Sequence, residues 1–189
     1  NALAGILYGD VNPSGKLPFS IAKNSGDYPY FNPYSMKIEY GYYHGYTLFD
    51  KKGIEVAYPF GHGLSYTTFA YDSLEVGAVD PEKKNLMVRA RVTNTGKMAG
   101  EEVVQLYLGF ANSEIDRPVK LLKGFDKILI QPGESRIVEF DLDLEELAWY
   151  DPESKTWKIE KMEYEVFIGP SSDRTKLLKG NFVYEEVTE

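Results

Sequence analysis

From Leu86 onward the chain alternates apolar and polar residues in short runs. Leu86, Val88, Ala90 and Val92 share one face of the first run, with Met87, Arg89 and Arg91 on the other. Val104, Leu106 and Leu108 alternate with Val103, Gln105 and Tyr107, and Val138, Phe140 and Leu142 with Ile137, Glu139 and Asp141. Tyr164, Val166 and Ile168 alternate with Glu163, Glu165 and Phe167. A period of two with one charged face predicts antiparallel strands whose sheet is packed on one side. The breakers fall between the runs, at Asn94-Thr95-Gly96, Gln131-Pro132-Gly133-Glu134 and Gly169-Pro170-Ser171-Ser172. About seven short strands without helical periodicity predict a two-sheet sandwich of immunoglobulin or fibronectin type III kind. With no cysteine pair, the fibronectin-like form is the better match.

The first 66 residues follow another pattern. Leu3, Ile6 and Leu7 are spaced like the inner face of a helix over 1–8. A turn, Asn12-Pro13-Ser14-Gly15, leads to a short apolar strand expected from Lys16 to Phe19. A helix, a turn and one strand cannot bury their own apolar faces, so they read as the end of an α/β layer. The helix has no cap and no preceding Met, which suggests a segment of a longer polypeptide. Residues 21–66 form a long Tyr-, Gly- and Pro-rich connector, uncommon unless functional or packed on something larger. The expected division is 1–20 as a remnant of an α/β sandwich domain, 21–66 as connector and 67–189 as the β-sandwich.

Composition sharpens that boundary. Residues 1–66 hold 5 acids and 5 bases but 10 of the 15 tyrosines and 9 of the 17 glycines. The whole formal charge of −8 therefore lies in the second part, and the negative balance argues against a nucleic acid partner. No apolar run approaches the roughly 20 residues of a membrane helix. Zero cysteines exclude disulfides, thiolate nucleophiles and Cys-based zinc sites, and leave the compartment open.

Three motifs taken in order, NALAGILYGDVNPSGKLPFS, EYGYYHGYTLFD and YPFGHGLSYTTF, closely resemble the carboxy-terminal region of glycoside hydrolase family 3, the β-glucosidase and β-xylosidase family. VTNTGKMAGEEVVQLYL, RPVKLLKGFDKILIQPGES and WKIEKMEYEVFIGPSS resemble its fibronectin type III-like domain. Gly5 stands where an acidic residue is common in that family, and Thr47 where an arginine is common. The resemblance implies an enzyme with a barrel domain and an α/β sandwich domain flanking the substrate cleft. These amino-terminal domains are the expected partners, and a carbohydrate is the expected substrate. It also implies retaining hydrolysis of terminal β-linked sugars, with neither metal nor organic cofactor.

Retention needs two carboxyl groups about 5 Å apart. In the family the nucleophile lies in the barrel and the acid/base upstream of the segment matching Asn1 to Ser20. Neither matches a position here, so no catalytic residue is assigned. Glu101, Glu102, Glu145 and Glu146 are expected on a solvated sandwich surface. Phe19 is the one cleft candidate, either stacking on a sugar or anchoring the connector. Gly61, His62 and Gly63 form a structural motif, with His62 as a hydrogen-bonding linchpin. His44 and His62 lack the further ligands a metal needs. Trp149 and Trp157 are either sugar platforms or corner packing. SYTTF is not a nucleophile elbow, and the G-x-G at 61–63 lacks the rest of a nucleotide fingerprint. The rival reading is a free-standing carbohydrate- or protein-binding module, for which residues 1–66 have no use.

Overall fold

The computed structural model describes residues 2–39, 41–80 and 82–185. Helix α1 (Ala2–Tyr8) precedes the two-residue strand β1 (Ile21–Ala22), helix α2 (Gly45–Lys52) and strand β2 (Val56–Tyr58). The later strands are β3 (Phe69–Val76), β4 (Asn85–Asn94), β5 (Gly100–Gly109), β6 (Lys120–Ile130) and β7 (Ser135–Asp143). A hairpin, β8 (Trp149–Asp151) and β9 (Thr156–Lys158), leads to β10 (Glu163–Gly169) and β11 (Leu178–Val183). Seven of these strands make the sandwich: a four-stranded sheet in the order β11-β10-β5-β6 faces a three-stranded sheet β3-β4-β7. The protein is mainly β, with a fibronectin type III-like sandwich, as the alternation predicts.

Register explains the core. Leu86 pairs with Leu142, Val88 with Phe140 and Ala90 with Val138, while Leu106 pairs with Ile168 and Leu108 with Val166. Every one of these side chains is buried between the sheets, each Val, Leu, Ile or Phe contributing about 1.5–3 kcal/mol. Tyr164 stacks on Phe182 with centroids 5.3 Å apart, and its hydroxyl donates to the Glu160 carbonyl at 2.9 Å. Asn94, at a predicted breaker, is fully buried. Its amide donates to the carbonyls of Met98 and Ile130, and its Oδ1 accepts from Thr67 Oγ1 and the Gly96 amide. One side chain thus ties the ends of β4 and β6 to the entry of β3.

The two outer faces differ, which corrects the expectation of one solvated face per sheet. The outer face of β4 and β7 is charged and exposed, with Arg89 bridging Glu139 at 2.7 Å. On the four-stranded sheet, Gln105, Tyr107, Lys120 and Phe167 point outward yet are buried. Gly61 of the connector lies against Gln105, Tyr46 against Tyr107, and Tyr46 with Asp50 against Lys120. A second correction concerns Lys16 to Phe19, which forms no strand and bends at Pro18 and Phe19. Pro18 has no N–H to donate, and ladder pairing begins only at β1, where Ile21 faces Tyr58 and Ala22 faces Val56. Helix α1 forms, but Leu3 and Leu7 of its predicted inner face are exposed; Asn1 lies outside the described residues.

Candidate functional site

Residues 12–22 and 56–66 run side by side as an antiparallel ribbon. The Leu17 amide donates to the His62 carbonyl and the Gly61 amide to the Leu17 carbonyl, both at 2.8 Å. The Phe60 amide donates to Ser20 Oγ at 3.0 Å, and Asn12 Oδ1 accepts from Ser65 Oγ and the Tyr66 amide. The ribbon is fastened to the sheet at its turn. Gln105 Nε2 donates to the carbonyls of Gly61 (3.3 Å) and Pro170 (2.7 Å), and its Oε1 accepts from the Tyr107 hydroxyl at 2.6 Å. The Ser172 amide donates to the Phe60 carbonyl at 2.8 Å.

The motif Gly61-His62-Gly63 is a point of close approach. Gly61 has φ +79, and a Cβ there would lie 2.1 Å from Gln105 Oε1. A Cβ on Gly63 would lie 2.5 Å from the Gly15 carbonyl oxygen. Backbone meets neighbour directly at both positions, which only glycine permits. His62 between them is half-buried, its ring 5.1 Å from that of Tyr58. Burial, together with the charges of Lys176 and Lys16, holds its imidazole below the ordinary histidine range. Its amide donates to the Pro59 carbonyl at 3.1 Å.

Two ion pairs sit beneath the connector. Lys16 Nζ reaches both oxygens of Glu102 at 3.0 and 3.1 Å, and the Tyr71 hydroxyl donates to Glu102 Oε1 at 2.7 Å. Glu102 is 4% exposed, which corrects its expected place on the solvated surface. It carries the bond that joins the ribbon to β3 and β5. Lys120 is fully buried, paired with Asp50 of α2 and lying over the rings of Tyr46 and Tyr107. The Leu122 amide donates to the Tyr46 hydroxyl at 3.0 Å. Thr47 is buried, and its hydroxyl donates to the His44 carbonyl at 2.8 Å, closing the first turn of α2.

These surroundings set a pH dependence. Burial raises the hydroxyls of Tyr46, Tyr71 and Tyr107 above the ordinary phenol range, and Tyr164 is pushed up to about 12, again chiefly by burial. A folded-state pKa above the unfolded value of about 10 stabilises the fold below that pH and loses the contribution above it. Lys120, held by burial below the lysine range, acts in the opposite sense as pH rises toward its unfolded value. Four tyrosines outweigh one lysine. The expected result is a urea midpoint that falls as pH rises past about 10, with the tyrosinate absorbance of these four buried rings appearing only together with unfolding. Ionisation of these four tyrosines in the folded protein near pH 10 would contradict this.

Phe19 is half-exposed on the ribbon, next to the buried Ser20. Glu101 is exposed and bridges Lys127 at 2.6 Å, and Glu145 and Glu146 are exposed as expected. Trp157 is exposed, while Trp149 is half-buried. Among the described residues no group of three or more His, Cys, Asp or Glu could hold a metal ion, and no helix is long and apolar enough to cross a membrane. Sequence reasoning missed Lys16, Gln105 and Lys120 as fastening points. The signal was the nearly continuous apolar run Val103-Val104-Gln105-Leu106-Tyr107-Leu108, typical of a strand covered on both faces.

Ribbon and connector match the Glycosyl hydrolase family 3 C-terminal domain over residues 1–66, and the sandwich matches the Fibronectin type III-like domain over residues 102–172. The chain belongs to the carboxy-terminal region of glycosyl hydrolase family 3. Among its family 3 relatives, Thermostable beta-glucosidase B of Acetivibrio thermocellus is 44% identical over 178 residues, covering 90% of this chain and 23% of the relative. Probable beta-glucosidase K of Emericella nidulans is 45% identical over 195 residues, covering 100% of this chain and 22% of the relative. The crystal structure of Beta-D-glucoside glucohydrolase from Trichoderma reesei shares the fold with TM-score 0.85 at 33% identity, over 97% of this chain and 28% of that one. The family 3 segment thus spans about a quarter of the length of the curated relatives it matches.

Proposed function

We propose that this chain is the carboxy-terminal portion of a retaining β-glucosidase, whose hydrolysis of terminal, non-reducing β-linked sugars belongs to the whole enzyme. The observation that carries this reading is the apolar surface of the first 66 residues. Among the described residues, fifteen of the 22 exposed large hydrophobic side chains lie there, including Leu3, Leu7, Tyr8, Tyr30, Tyr34 and Met36. So many on one third of a chain mark a contact surface, and its occupant in this reading is the enzyme's barrel and α/β sandwich domains. A free-standing binding module has no use for such a surface.

In this division 1–20 ends the α/β domain, 21–66 connects and 67–189 is the fibronectin-like brace. Phe19 stands at the mouth of the cleft, a role supported by its exposed ring. Gly61, His62 and Gly63 hold the connector down on the brace, supported by the close approaches at both glycines. The reaction proposed needs no metal or organic cofactor.

The test compares pure 1–189 with the longer protein on aryl β-glucosides and β-xylosides, each identified by intact mass. The expected outcome is turnover by the longer protein and none by 1–189. Turnover by 1–189 would overturn the absence of catalytic carboxylates, and an inactive longer protein would overturn the β-glucosidase reading.

A further inference from the structure

The β8–β9 hairpin carries a cross-strand aromatic pair outside the connector contact. Tyr150 lies opposite Trp157 in register, with centroids 5.6 Å apart and an interplanar angle of 66°. Trp157 is 71% exposed, unusual for the side chain that gains most from burial. The hairpin that holds it is well fixed. Asp151 accepts from the Glu153 amide, Ser154 Oγ and Lys158 Nζ, and these bonds hold its carboxyl below the usual range. The indole also borders a cavity of about 500 Å³, whose other walls include Ala148, Ile159 and the ion pair of Lys84 with Glu145 at 3.5 Å.

We propose that Trp157 is a binding platform for a pyranose of a β-linked glucan chain, separate from the catalytic cleft. A β-glucopyranose carries its hydroxyls around the rim and presents C–H bonds on its two faces. The indole offers a flat apolar surface for one such face, with the ring of Tyr150 packed beside it. Glu145 supplies an acceptor and Lys84 a donor for rim hydroxyls, and the cavity lies within the range of small-ligand sites. A platform already ordered in the free protein loses little conformational entropy on binding. The choice of a β-glucan rests on the β-glucosidase reading; the platform itself rests on the hairpin geometry.

The experiment titrates cellohexaose into the whole chain, followed by tryptophan emission and calorimetry, with maltohexaose in parallel. Saturable binding of cellohexaose is expected, weakened about tenfold or more in Trp157→Ala and less in Trp157→Phe. Glu145→Gln, at an exposed position, should weaken binding severalfold with an unchanged melting temperature, which keeps the test sound if Trp157→Ala fails to fold. No saturable binding, or equal binding by parent and Trp157→Ala, overturns the platform. Equal binding of maltohexaose overturns the β-glucan assignment. The aryl glycoside assay on the longer protein is read independently, so the β-glucosidase reading can fail without touching this result.

Discussion

Asp50→Ala lowers the unfolding free energy by about 3–5 kcal/mol, the usual cost of removing one partner from a buried ion pair. The effect is expected because Lys120 has no solvent to turn to. Its side chain is fully enclosed by β6, α2 and the rings of Tyr46 and Tyr107. Those rings attract the ammonium but carry no countercharge. Without Asp50 the lysine must stay charged and unpaired, shed its proton, or pull α2 from the sheet. Urea unfolding at neutral pH should show a lower midpoint with an unchanged slope. The double variant Asp50→Leu with Lys120→Met should recover most of the loss, since apolar replacement of a whole buried pair is often neutral. A single variant within about 1 kcal/mol of the parent would match an exposed pair instead, and would mean that α2 is not sealed onto the sheet.

Gly61→Ala is the second large effect, expected at about 3 kcal/mol or more. A left-handed conformation costs an L-residue about 1–2 kcal/mol. The new methyl also has to displace Gln105, whose side chain holds the Gly61 and Pro170 carbonyls and the Tyr107 hydroxyl. Each buried polar group left without a partner adds about 1–3 kcal/mol. Gly53→Ala separates the two contributions. Its φ of +64 imposes the same backbone cost, yet nothing lies within 4 Å of the added Cβ. Thermal unfolding of both variants should show the Gly61 change as clearly the larger; equal shifts would mean that Gln105 yields freely.

The sandwich was legible because its inner positions follow a strict period of two. Leu86 through Val92 and Tyr164 through Ile168 occupy the core in the predicted phase. The covered outer face was only half legible: the nearly continuous apolar run Val103 to Leu108 of β5 pointed to it, but Gln105 and, in β6, Lys120 are polar residues that normally signal solvent. Their burial depends on partners 44 to 70 positions away in sequence, which no local pattern reports. Glu102 misled for the same reason, its counterion Lys16 lying in a segment that reads as apolar. The expected strand at Lys16 to Phe19 failed on a local rule that was visible, the missing donor of Pro18. The three family motifs were recognisable because glycine and proline at close approaches leave few alternatives, as the geometry at Gly61 and Gly63 explains.

The ribbon also sets what can change in the chain between its two edges. Residues 23–55 leave from β1 and return to β2, so their ends meet at a base already closed by Ile21 opposite Tyr58 and Ala22 opposite Val56. Within this excursion, residues 29–39 are exposed throughout. Doubling the length of a loop with a fixed base costs only about 0.6 kcal/mol. Insertions and deletions at 29–39 can therefore accumulate with little penalty to the sandwich. The surface offered to a neighbour can be retailored there while the scaffold that presents it stays the same.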